Sequence, residues 1–243
     1  MLTAAAVCPH PPLLIPAAIG AAAGDPPPAL RAVRDACDAA MHALAAAEPD
    51  LIAVVGGGPA DREYGATAAG SLGEFGVPVT VGEGEPVLPL SLTVGRWLLG
   101  RAGIGAGAQV LLQAVDQRAS ADDCLKLGAA IAERAPRVTL LAMGDASARR
   151  ARDTEGAPDS LAQDYDDEVA EALAAADARW LGRLDPALDG ELLVAGRAAW
   201  QVLAGAAAGA RMCGRLRCMA SPYGVTYLVA SWEEHALKPC QNV

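Results

Sequence analysis

Aromatic side chains are scarce in this chain: one phenylalanine, four tyrosines and four tryptophans among 243 residues. Lysine is scarcer, present only at Lys126 and Lys238, and the remaining basic residues are arginine. With 29 acidic against 19 basic residues the net charge is −10. That surplus repels phosphate backbones and anionic headgroups, so neither nucleic acid nor a membrane surface is expected as a partner. No apolar run reaches the ~20 residues of a spanning helix. The opening "MLTAAAVC" lacks the basic segment and full apolar stretch of a secretory leader. The six cysteines, Cys8, Cys37, Cys124, Cys213, Cys218 and Cys240, form no CxxC and no zinc-type pairing. They read as free thiols in a reducing, cytoplasmic setting. Histidine is limited to His10, His42 and His235, too few to make a serine triad a natural reading.

What is abundant is small and aliphatic. Apolar residues make up 53% of the chain, enough for a large core. Leu2–Val7 reads as a first strand that stops at Pro9. Prolines 26–28 open a helix over Ala29–Ala47, whose inner stripe is Leu30, Val33, Cys37, Met41 and Leu44; His42 falls on the opposite, solvated stripe. "LIAVV" is a second strand ending in "GGGP", followed by a glycine-rich loop over Gly65–Gly76 that leads to "VPVTV". Leu88–Arg101 is helical and "AQVLLQAV" is a strand. Ser120 with Asp123 forms a capping pattern for the next helix, and "RVTLLAM" is a buried strand stopping at Gly144 and Asp145. The polar stretch "GDASARRARDTEGAPDS" is a loop, followed by alanine-rich helices over Ala162–Ala176 and Gly190–Ala208. "RLRCMA" and "VTYLVASW", joined by "SPYG", pair as a closing hairpin. Strands alternating with helices predict an α/β fold: one domain over residues 1–243, a largely parallel central sheet flanked by helices, and a C-terminal antiparallel hairpin.

Ligands of open parallel sheets bind beyond the carboxyl ends of the strands. Three such ends carry unusual residues: Cys8-Pro9-His10, Gly56-Gly57-Gly58 and Gly144-Asp145. Each has a plain structural explanation. "GGGP" lacks the GxGxxG order and any GK[ST], which leaves a tight turn. Asp145 suits a turn cap and His10 suits a backbone hydrogen bond that fixes its proline-rich loop. Ser147 lacks the G-x-S-x-G elbow of a nucleophile. The arginines of "ARRAR" suit a solvated loop, and His235 suits a tail past the last strand.

Taken in order, several words resemble one family. "CPHPPLLIPAAIG" is similar to the opening of class III extradiol dioxygenase-like proteins, in particular a microbial branch beginning "PHPPL-IP". That superfamily includes the catalytic subunit of protocatechuate 4,5-dioxygenase and the Memo-like proteins. "PDLIAVVGGGP", "EFGVP" and "VLPLSL" resemble its next words, "GDASARR" resembles "GDLSHR", and "SPYGVTYLVA" resembles "PFGVGYAVA". The likeness spans essentially the whole chain and implies the α/β fold.

For active members the resemblance implies Fe(II) held by two histidines and a carboxylate, with open positions for catecholate and dioxygen. A further histidine serves as acid and base. His10 matches the first iron-binding histidine. Gly58 stands where the second belongs, Ala148 where the acid/base histidine belongs, and Gly84 where another histidine of this branch belongs. Val194 and Ala195 stand near the third ligand's place and carry no donor. One imidazole cannot hold Fe(II) against water.

Three readings follow. In the first, the chain is a non-canonical or inactive relative with no cofactor. It binds a small-molecule ligand or partner in a roomier pocket, with Gly57, Gly58, Ser147 and Arg149 as contacts beside His10 and Asp145. In the second, Fe(II) or another divalent metal is held by rearranged ligands drawn from Cys8, His10, Asp61 and Asp145. In the third, His10 and Asp145 are the acid/base pair of a metal-independent enzyme. A homodimer is expected only by analogy with the superfamily.

Overall fold

A computed structural model describes residues 1–105, 107–150 and 159–235. A seven-stranded sheet is built from β1 (Leu2–Cys8), β2 (Leu51–Gly58), β3 (Arg62–Tyr64), β7 (Gln109–Asp116), β8 (Val138–Met143), β9 (Met212–Ala220) and β10 (Tyr227–Glu234). Its order is β3-β7-β2-β8-β1-β10-β9. The four central strands β7, β2, β8 and β1 are parallel. The edges are antiparallel: β3 on β7, β10 on β1 and β9 on β10. The expected fold class therefore holds, and the predicted hairpin docks through β10 against the first strand. A small separate sheet orders β5 (Thr80–Val81), β4 (Ala68–Ser71) and β6 (Glu83–Pro86). Its strand β4 lies inside the stretch read as loop, because a run of alanine, glycine and serine carries no strand signal.

Both sheet faces are covered, as continuous apolar strands require. Side chains alternate along each strand. Ala4, Ala6, Cys8, Ile52, Val54, Leu141 and Met143 join the core under α1 (Pro28–Ala46) and α2 (Leu90–Ala102). Ala5, Val7, Ala53, Val55, Leu140 and Ala142 join the core under α3 (Ala121–Ala132), α4 (Ser160–Ala175) and α7 (Arg197–Ala206). The α1 stripe Leu30, Val33, Cys37, Met41 and Leu44 is buried as its spacing predicts, and His42 is exposed. Ser120 caps α3, its hydroxyl oxygen accepting the Asp123 N–H at 3.2 Å.

Two readings need correction. Gly190–Ala208 is not one helix. It divides into α6 (Ala187–Leu192) and α7, with the short α5 (Ala178–Leu181) before them. Leu193 takes a left-handed φ of 54°, which ends α6, and the Ala195 N–H leaves the helix path to donate to the Asp145 carbonyl. The all-free-thiol reading also fails at one position. Cys8, Cys37, Cys124 and Cys218 are free thiols, whereas Cys213 is disulfide-bonded. Spacing along the chain does not reveal a pairing that only folding creates. Cys240 and the part of the polar loop over residues 151–158 lie outside the described residues. No helix among the described residues is long and apolar enough to cross a membrane.

Candidate functional site at the carboxyl edge of the sheet

The parallel strands end together, which places Cys8, Gly58, Asp116 and Met143 along one edge. The Gly144 N–H donates to the Cys8 carbonyl at 3.0 Å, as the last rung between β8 and β1. One residue further on, Asp145 turns toward His10. Its Oδ1 accepts the His10 backbone N–H at 2.8 Å and lies 3.8 Å from His10 Nδ1. The second distance is too long for a hydrogen bond. His10 is 8% exposed, and its Nδ1 is buried with no hydrogen-bond partner among the described residues. The loop is thus held through the His10 backbone N–H by the Asp145 carboxylate, whereas the expected bond from the ring to a backbone group is not made by Nδ1.

Asp145 sits on a loop with anchors on four sides. Besides the Gly144 bond, the Ala146 N–H donates to the Thr226 carbonyl, the Ala148 N–H to Leu192 and the Ala195 N–H to Asp145 itself. Gly144 also meets the start of α7 so closely that an added Cβ would lie 2.3 Å from the Gly196 Cα. Only a pair of glycines permits that approach. Tyr227, the first residue of β10, joins the site from the antiparallel side. Burial, the Asp145 charge and Tyr223 raise its phenol to about 12. Nothing in the sequence pattern marked Tyr227, because its place at this edge follows from β10 pairing with β1.

The other expected contacts divide. Gly57 stays at the edge: its carbonyl accepts the Ser91 hydroxyl at 2.7 Å, and an added Cβ would meet the Gln117 side chain at 3.0 Å. Gly58 is also there, but a Cβ on it would lie 2.9 Å from the Ala114 Cβ. Ser147 does not face a ligand. It is wholly buried; its N–H donates to Asp166 Oδ1 at 2.9 Å and its hydroxyl to Asp166 Oδ2 at 2.8 Å. Arg149 is exposed and donates to the Glu191 carbonyl at 3.2 Å, with Asp159 3.6 Å away. Its guanidinium is committed to the surface beside α4 and α6.

A buried brace that sequence reasoning missed lies behind this edge. Arg197 donates to Asp189 Oδ2 at 2.6 Å, to the Ala119 carbonyl at 2.9 Å and to Gln201 Oε1 at 2.7 Å, and also reaches the Gln117 carbonyl. It thereby ties the loop after β7 to α6 and α7. An arginine at the first position of an alanine-rich helix carries no signal of this role.

The iron-binding pattern implied by the resemblance does not fit these residues. A histidine at position 58 would begin with a Cβ crowded against Ala114. Gly84 has a φ of 87° on an exposed strand. Ala148, Val194 and Ala195 offer no side-chain donor. The rearranged set fares no better: Cys8 faces the α1 core, and Asp61 Oδ1 accepts the Asp116 N–H at 2.7 Å. Among the described residues no three His, Cys, Asp or Glu side chains are grouped to hold a metal ion.

The fold and edge define a mixed α/β protein with a histidine–carboxylate pair beyond its central strands. No family model matches the chain and no curated protein matches it. Among solved structures it is similar to an uncharacterised protein, JW3007, from Escherichia coli K12. That likeness covers 95% of this chain and 99% of that one, with a TM-score of 0.56 at 15% identity. It supports the shared fold and carries no activity.

Proposed function

We propose that this chain is a class III extradiol dioxygenase-like protein that has lost most of the Fe(II) site and binds a small molecule beside His10 and Asp145. One observation carries the reading: at the carboxyl edge His10 Nδ1 is buried and unpartnered among the described residues, 3.8 Å from a carboxylate oxygen. An unsatisfied buried nitrogen costs about 1–3 kcal/mol. A ligand that hydrogen-bonds this nitrogen recovers that cost. The neighbouring donor positions of the family pattern are glycine or alanine, so the ligand meets one imidazole, one carboxylate and the Tyr227 phenol.

The same distance supports a second reading, in which a bound substrate draws His10 and Asp145 together as an acid/base pair. Apo geometry of such pairs is often longer than in the working complex.

A ligand-observed NMR screen of small hydroxylated aromatics and short polar acids tests the primary reading, with His10→Ala and Asp145→Asn beside the wild type. Binders are expected to weaken about tenfold or more in the His10 variant, the loss of one charge-assisted or buried hydrogen bond. Binding that ignores both substitutions removes the site from this edge. A binder consumed at a pH-dependent rate that both substitutions abolish favours the second reading.

A further inference from the structure

A cavity of about 550 Å³ lies where the C-terminal half of α2 meets the small sheet and the start of β7, away from the His10 edge. Its apolar wall is Val81, Trp97, Leu99, Ile104 and Val110. Its charged lining is all of one sign: Arg96 and Arg101 border it, and no acidic side chain does. The chain as a whole carries a net charge of −10, so this lining runs against the average surface. The two arginines differ. Arg101 is neutralised by Asp38, to which its Nε and Nη2 donate at 2.9 and 2.8 Å. Arg96 donates from Nη1 to the uncharged Ala66 carbonyl and has no ion pair among the described residues. It therefore brings an uncompensated charge and further N–H donors to the cavity. Gly100 is an independent observation. It lines the cavity four residues after Arg96, and residues four apart share one helix face. Glycine in a helix interior is costly relative to alanine, yet nothing stands within 4 Å of a Cβ built at Gly100. Packing does not call for a glycine there; its missing side chain leaves space beside Arg96.

We propose that this cavity is a binding site for a small organic carboxylate with a bulky apolar body. A carboxylate answers the one uncompensated guanidinium with charge-assisted hydrogen bonds. The apolar wall takes the hydrocarbon, and the space over Gly100 admits it next to Arg96. A phosphate dianion would bring two charges to a single uncompensated cation. An ammonium would meet two guanidinium groups and no acid. A neutral alcohol would cover the apolar wall and leave the Arg96 charge unanswered.

Isothermal titration calorimetry with sodium naphthoate tests the site. Naphthalenemethanol, naphthylmethylammonium chloride and sodium acetate are the controls. Wild-type protein is expected to bind naphthoate with a Kd of roughly 0.1–1 mM, about fivefold or more tighter than any control. Arg96→Gln is expected to weaken binding about tenfold or more, the loss of a charge-assisted contact. Gly100→Leu fills the space beside Arg96 and is expected to abolish binding, while its melting temperature stays at or above that of the wild type. His10→Ala is expected to leave the affinity unchanged, which separates this cavity from the carboxyl edge. If Arg96→Gln does not fold, Gly100→Leu decides. The proposal is overturned by wild-type binding no tighter than that of the alcohol, by a Kd unchanged in either folded variant, or by a loss of binding in His10→Ala.

Discussion

Replacing Asp166 by alanine is expected to destabilise the protein more than any exposed substitution, because one buried carboxylate holds the loop that carries Asp145. Asp166 is wholly buried. It accepts the Ser147 N–H at 2.9 Å, the Ser147 hydroxyl at 2.8 Å and the Thr226 hydroxyl at 2.5 Å, and Arg150 lies 3.5 Å away. The alanine variant strands the Ser147 amide and hydroxyl, while the Thr226 hydroxyl can turn to Ser221, 2.8 Å away, and Arg150 keeps Asp167 at 3.3 Å. Each stranded donor costs about 1–3 kcal/mol, so the expected loss is about 3–5 kcal/mol. Asparagine keeps the shape but turns one amide nitrogen toward a donor, so about half that loss is expected. Urea unfolding followed by circular dichroism measures both variants, with the slope m unchanged from wild type. Hydrogen exchange at Ser147 is expected to accelerate in step. A loss under about 1 kcal/mol for Asp166→Ala would refute the argument that this carboxylate is the loop's anchor.

Gly144→Ala places a Cβ 2.3 Å from the Gly196 Cα, a backbone atom that cannot swing away, and is expected to cost about 3 kcal/mol or more in urea unfolding. Gly100→Ala is the opposite case: nothing lies within 4 Å of its added Cβ in the interior of α2, so a gain of about 0.5–1 kcal/mol is expected in the same assay. Burial raises the Cys124 thiol from an ordinary value near 9 to about 11. The unfolded thiol ionises first, so the unfolded chain binds fewer protons and stability falls as pH rises between about 9 and 11. Cys124→Ala is expected to flatten that fall by up to about 2–3 kcal/mol, read from urea midpoints across the window.

The fold was largely legible because its signals are local. Unbroken apolar runs such as "LIAVV" and "RVTLLAM" declare strands covered on both faces, and the α1 stripe declares its buried side. The division between α6 and α7 was not legible, since it rests on a hydrogen bond from Ala195 to Asp145, 50 residues apart in the chain. The site follows the same rule. His10 and Asp145 could be placed at one edge because parallel strands end together. Ser147 could not be assigned, because its partner Asp166 approaches from a helix whose rotation no spacing in the loop reveals. Tyr227 and Arg197 escaped for the same reason: each acts across elements, and each sits in a stretch whose own pattern is that of ordinary core.

Metal analysis after anaerobic loading with Fe(II) and desalting, on wild type and His10→Ala side by side, tests the central claim most directly. The account predicts far less than one equivalent of iron in both proteins, with no difference between them. One retained equivalent in the wild type that is lost in His10→Ala would contradict it.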